Sequence, residues 1–164
     1  MVKLFKYGCL VCIGVGIVFR FLLLNMPFEY DELFTAITSN PNLEVSWIWT
    51  NWLLPDVHPP LYNILLWVYN HWVPYGPEIW LRLPSVVFFL VAMYIGWRMF
   101  PRRFGSAARL LFLALIATHS FGIFYSQHAR SYALIILFSI PLTFLFLEIS
   151  KSLCKGYHIS WKKW

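Results

Sequence analysis

Apolar residues gather in long runs separated by short polar stretches, and these runs set the expected architecture. Four are long enough to cross about 30 Å of hydrocarbon as helices: Tyr7–Leu24, Leu81–Phe100, Ala107–Tyr125 and Ser131–Ile149. A fifth apolar stretch, Pro59–Trp72, has only about fourteen residues before Pro74, a length suited to an interfacial segment. It carries Asn63, Asn70 and His71, and it opens with two prolines, which fit a helix start and not its interior. A short helix lying along the outer membrane surface is expected there. Pro41, Pro55, Pro59 and Pro60 divide the rest of the segment Asn25–Trp80 into short helices joined by turns. No internal repeat and no soluble domain is visible. The expected fold is all-α: one polytopic membrane domain over residues 1–164, with about four spans and short interfacial helices in a large first outer loop.

The polar positions orient this arrangement. With the N-terminus in the cytosol, Lys3, Lys6, Arg98, Arg102, Arg103, Arg109, Lys151, Lys155, Lys162 and Lys163 all fall inside. Only Arg20, Arg82 and Arg130 fall outside, as the positive-inside bias requires. A crossing by Pro59–Trp72 would move Arg102-Arg103 and the basic tail outside, against that bias. The acidic residues segregate the other way. Glu29, Asp31, Glu32, Glu44, Asp56 and Glu78 lie between the first two spans, and only Glu148 is elsewhere. The expected location is the cell membrane, multi-pass, with the chemistry on the periplasmic or extracellular side.

Composition agrees: 60% hydrophobic and 12% charged residues exclude an ordinary soluble domain. The formal charge of +6 flanks the spans and is not interleaved with base-stacking aromatics, so a nucleic-acid partner is not expected. The first run is too long, and wrongly flanked, for a cleavable signal peptide. Cys9 and Cys12 have CxxC spacing but lie in an apolar helix with no strand nearby, which argues against a redox motif. Cys154 sits in the cytosolic tail, where thiols stay reduced. Trp47, Trp49, Trp52, Trp67, Trp72 and Trp80 suit rings resting at headgroup level, as membrane lipid contacts.

The outer face holds the candidate chemistry. Asp31 and Glu32 follow the first span closely. Neighbours on a helix point about 100° apart, so one can face a cavity while the other supports it. A carboxylate shielded from water there has a raised proton affinity and suits a general base; the bland alternative is a solvated acidic loop. Asp56 and His58 set a carboxylate and an imidazole beside Pro59-Pro60. His58 either donates to a phosphate, joins carboxylates around a divalent metal, or caps the next helix. No paired-ligand spacing completes a metal site; a divalent metal stays possible, with Asp31, Glu32, Asp56 and His58 as its candidates, and no cofactor is certain. Gln127-His128-Ala129-Arg130-Ser131-Tyr132 lies between the third and fourth spans, on the same side. Arg130 offers bidentate geometry to a lipid phosphate, or it pairs with Asp31 or Glu32. Arg82 has the same two readings, with snorkelling toward the headgroups favoured. His119, within the third run, reads as a satisfied buried histidine.

Four motifs in this order resemble the N-terminal part of a GT-C-fold glycosyltransferase, nearest the protein O-mannosyltransferase and aminoarabinose-transferase branch. They are Tyr30-Asp31-Glu32, Asp56-Val57-His58-Pro59-Pro60-Leu61-Tyr62, Arg82-Leu83-Pro84-Ser85 and Gln127-His128-Ala129-Arg130-Ser131-Tyr132. The resemblance covers nearly the whole chain. It implies Asp31 as catalytic base with Glu32 beside it, and Asp56 and His58 at the donor phosphate or a metal. It also implies Arg82, Gln127, Arg130 and Tyr132 as substrate-binding residues. His128 stands where relatives often carry Glu. Such enzymes usually have more spans than four, so the chain is expected to be an N-terminal portion or a truncated form.

The implied activity is transfer of a sugar from a polyprenyl-phosphate carrier to an acceptor on the non-cytosolic face. The alternative is a truncated, non-catalytic membrane protein that binds lipid or a partner. A small transporter or channel would show a span broken at Gly or Pro and lined with charge, and no such span is expected.

Overall fold

The computed structural model describes residues 2–155, and all its regular structure there is helical. Three helices are long and apolar enough to cross a membrane: α1 (Val2–Phe19), α5 (Glu78–Met99) and α8 (Tyr132–Lys155), the last over Tyr132–Leu153. α1 and α8 bury little of their surface within the chain and expose Val11, Val15, Leu142 and Phe146, as helices facing hydrocarbon would. Lys162 and Lys163 lie outside the described residues, as does the side chain of Cys154.

The first helix ends at Phe19, not Leu24, and Arg20 is the reason. The carbonyl of Gly16, which an α-helix would bond to the Arg20 amide, accepts the Arg20 guanidinium instead. The Arg20 amide turns to Ile17 at 3.1 Å, and Phe21 and Leu22 follow with similar i−3 bonds. The chain thus tightens into 3₁₀-like turns. The guanidinium is fully buried, donates to the carbonyls of Ala117 (2.6 Å) and Ile116 (3.4 Å), and lies 4.0 Å over the Phe89 ring.

Those two carbonyls belong to the last turn of α6 (Gly105–Thr118), where a helix leaves its acceptors unpaired. The third apolar run therefore breaks, although it contains neither Gly nor Pro at the break. α6 and α7 (Ser120–Ser126) meet at 55° and form one bent span or a re-entrant pair. His119 lies at the bend with extended backbone, and its Nδ1 accepts from the Gly122 amide at 3.3 Å. It is exposed, so the buried histidine expected inside a continuous helix is instead the cap of a broken one.

Gly16 allows α1 to approach α6 closely: a Cβ there would overlap the backbone carbonyl of Ala117. Gly16→Ala is expected to destabilise the protein by about 1–3 kcal/mol through overpacking against rigid backbone. Gly8→Ala has open space around it and serves as the control. Thermal unfolding of both variants in detergent checks this, and equal midpoints would refute the close α1–α6 contact.

The segment between α1 and α5 consists of short helices, as its prolines suggest: α2 (Tyr30–Thr38), α3 (Val45–Ile48) running into a π turn at Trp49–Leu53, and α4 (Leu61–Tyr69). α4 is about 13.5 Å long, too short to span a bilayer. Its N-terminus is at Pro60, in line with the Pro-led start. Polar bonds tie these helices together. Asn70 donates to the Ser39 carbonyl (2.8 Å), Tyr75 to the Ala36 carbonyl (2.7 Å) and Trp67 to the Leu43 carbonyl (3.0 Å). The Trp67 N–H is therefore spent inside the protein, whereas Trp72 is exposed, as a headgroup contact requires. A core of Tyr62, Leu66, Leu81, Ala129 and Leu134 packs α4 against α5, the α7–α8 link and the start of α8. That packing brings the four sequence motifs to one end of the molecule.

Candidate functional site

Glu32 and Arg82 form the centre of this end. Glu32 lies in the first turn of α2, fully buried, and each of its oxygens accepts two bonds. Oε1 takes Arg82 Nε at 2.8 Å and the Ala129 amide at 2.7 Å; Oε2 takes an Arg82 terminal nitrogen at 2.5 Å and the Glu29 amide at 3.1 Å. Arg82 also donates to the carbonyls of Leu23, Leu24, Met26 and Pro27, where the chain leaves α1. Burial pushes the Glu32 carboxyl up, but the Arg82 hydrogen bonds and charge and the two amides outweigh it and hold it below the usual range.

This geometry corrects two expectations. Arg82 does not snorkel and offers no free donor edge to a phosphate, because it is turned inward onto Glu32 and α1. Glu32 is ionised with its four acceptor positions filled, so neither a substrate proton nor a metal finds a free lone pair there. Its part beside Asp31 is that of an anchor.

Asp31, the next residue along α2, is placed quite differently. Its side chain is 66% exposed, with Oδ2 3.7 Å from Arg130. Arg130 also donates to the Asp31 backbone carbonyl at 3.1 Å and is itself largely buried. The shielding expected to raise the proton affinity of this carboxylate is not present, and a bound ligand would have to supply it.

Two cavities meet at Arg130. The first, about 150 Å³, is lined by Asp31, Glu29, Tyr125, His128, Arg130 and Tyr132 among others. The second is a crevice of about 10 Å³, room for a single water, lined by His58, Pro59, Tyr62, Asn63, Arg130 and Ser131 together with Thr35. Tyr132 stacks on Tyr125 at 4.2 Å and forms a wall of the first. His128 sets both ring nitrogens against acceptors, the Phe124 carbonyl at 2.7 Å and Glu29 Oε1 at 3.2 Å. The imidazole thus points to Glu29.

His58 does not cap α4, whose N-cap has no side-chain bond. Its Nδ1 lies 3.0 Å from Asp56 Oδ1. Tyr62, beneath the second cavity, shares a 2.7 Å hydrogen bond with Ser85 of the Arg82 motif.

The structure therefore brings Asp31, Arg130 and Tyr132 to one cavity and His58, with Asp56 behind it, to the adjoining one. Gln127 is not among them: it is buried, and Nε2 donates to the Phe19 carbonyl, tying the end of α7 to the end of α1. Neither family models, curated proteins nor solved structures match this chain. The site rests on its own geometry.

As a divalent-metal site the donor set does not fit. Glu32 is saturated and Asp31 faces Arg130, which leaves Asp56 and His58 as a pair, and no group of three metal-binding side chains occurs among the described residues. Sequence reasoning missed Arg20 and the Glu29–His128 contact. Arg20 did leave a signal, as a lone cation at the end of an apolar run in a chain with few charges.

Proposed function

We propose that this protein is a membrane glycosyltransferase of the GT-C type. It would move a sugar from a polyprenyl-phosphate carrier to an acceptor hydroxyl on the non-cytosolic face of the cell membrane. The observation that carries this reading is Arg130, a largely buried cation on both cavities, with Asp31 on one side and the Asp56–His58 pair on the other.

In this reading the donor phosphate displaces the loose Asp31 contact from Arg130, which takes up the bidentate geometry suited to phosphate. The acceptor hydroxyl gives its proton to Asp31 and its oxygen attacks the anomeric carbon. The bond to phosphate breaks, and Arg130 stabilises the developing charge. Tyr132 walls the sugar side. The lipid tail would lie in the apolar groove of about 370 Å³ bounded by Phe89, Phe112, Leu115, Phe121 and Ile140. The side of the membrane follows from the charge segregation: Arg102 and Arg103 in the cytosol, Asp31, Asp56 and Arg130 outside.

A second reading, a non-catalytic protein that binds lipid or a partner, is favoured by the exposure of Asp31 and its existing contact with Arg130. The two are separated by reconstituting the full chain in vesicles with a polyprenyl-phosphate hexose carrying a radiolabelled sugar, and a mixture of hydroxyl acceptors. Release of polyprenyl phosphate with label on an acceptor supports transfer. Donor that binds and is recovered unchanged supports the second reading. In the same vesicles a thiol reagent added from outside should label Asp31→Cys, whose position is 66% exposed, and not Arg102→Cys; labelling of both would overturn the sidedness.

A further inference from the structure

We propose that Asp56 and His58 form a proton-transfer dyad, in which His58 Nε2 protonates the departing phosphate and Asp56 is the positioning residue. This inference rests on the glycosyl-transfer reading and adds to it the group that takes charge of the leaving side.

Three observations carry it. First, Asp56 Oδ1 lies 3.0 Å from His58 Nδ1, and an ionised carboxylate can only accept, so that nitrogen carries its hydrogen toward Asp56. Nε2 is then the ring position left free to exchange a proton. Second, the Asp56 side chain is only 14% exposed and its Oδ2 is buried with no hydrogen-bond partner among the described residues, whereas the His58 ring is 45% exposed. A carboxylate sunk behind an open imidazole orients the ring. Third, the ring lines the cavity it shares with Arg130, Asn63 and Ser131, beside the cation assigned to the phosphate.

Charged and titratable groups from several elements face the ring: Asp56 of the same loop, Arg130 of the α7–α8 link with Asp31 of α2 beside it, and Tyr62 of α4, whose hydroxyl is bonded to Ser85. A bound phosphodiester would add a negative charge on the cavity side.

The anomeric carbon–oxygen bond breaks and its electron pair goes to the phosphate oxygen. The Nε2 proton moves to the phosphate, leaving a neutral ring whose Nδ1–H still donates to Asp56. The carrier departs as a monoanion, and the ring regains a proton from solvent.

The test uses the full chain in nanodiscs with ¹⁵N-labelled histidine and farnesyl phosphate, a short polyprenyl phosphomonoester, as probe. The His58 Nδ1 signal should remain that of a protonated nitrogen across the titration, while Nε2 titrates and shifts on adding the probe. Asp56→Asn should release the tautomer so that the Nε2–H form appears. In the transfer assay, His58→Gln should lower kcat by about 10²-fold or more with KM within a few-fold, and should abolish the fall in rate at high pH. An Nε2 signal indifferent to farnesyl phosphate, or a tautomer unchanged in Asp56→Asn, would overturn the dyad. So would a His58→Gln enzyme with the parental rate and pH profile, and that result leaves the transfer reading intact. A probe-responsive dyad without sugar transfer would instead fail the transfer reading while supporting the phosphate site.

Discussion

Glu32→Gln and Arg82→Met are each expected to destabilise the protein by about 3–5 kcal/mol, because each strands one buried member of an ion pair without its partner. Glu32 and Arg82 are almost completely buried, and between them they engage two amides and four carbonyls from three other parts of the chain. Removing both charges together, as Glu32→Leu with Arg82→Met, should cost less than the sum of the single changes. The pair also gives stability a sign with pH. The Glu32 carboxyl is held below its ordinary range, so its contribution is fully present above the pKa of an unfolded glutamate. It is lost as pH falls through the lower, folded value. Thermal unfolding in detergent at neutral and at acid pH measures both effects. A Glu32→Gln protein as stable as the parent would show that this pair holds nothing together.

Asp31→Asn should leave the fold intact and lower the rate of sugar transfer by about 10²–10⁴. Its side chain is mostly exposed, and the bond from Arg130 to its backbone carbonyl survives the change, so little structural cost is expected. Asparagine keeps the shape but takes no proton. Transfer at the parental rate by Asp31→Asn would remove Asp31 as the base and the mechanism with it. The contrast with Glu32 is the sharper result: two adjacent carboxylates, one failing in stability and the other in turnover.

That contrast also shows where sequence reading stops. Asp31 and Glu32 have the same chemistry and neighbouring positions; the residue that separates them is Arg82, fifty positions away. Nothing in the linear pattern tells whether an arginine near a span end reaches up to headgroups or inward to a partner. The helices α1, α5 and α8 and the short, proline-led α4 were legible, because length and hydropathy report directly on them. The end of α1 and the break between α6 and α7 were not. Both follow from one buried guanidinium that takes backbone carbonyls from two helices, and hydropathy counts Arg20 only as an interruption. Gln127 looked like part of a cavity motif because Arg130 and Tyr132 are; three positions along a tight link are enough to turn a side chain to the opposite side.

The reach of Arg82 also bears on how the protein is made. Residues 23–32 leave the ribosome well before residue 82, and until it arrives Glu32 lacks its counter-ion and the carbonyls of Leu23, Leu24, Met26 and Pro27 lack their shared donor. Those groups cannot be withdrawn from water without it. Residues 23–32 therefore cannot complete these contacts until the head of α5 has been made, and Glu32 waits longer still for the Ala129 amide. The segment closes only when two later stretches of chain, one at Arg82 and one at Ala129, have both arrived.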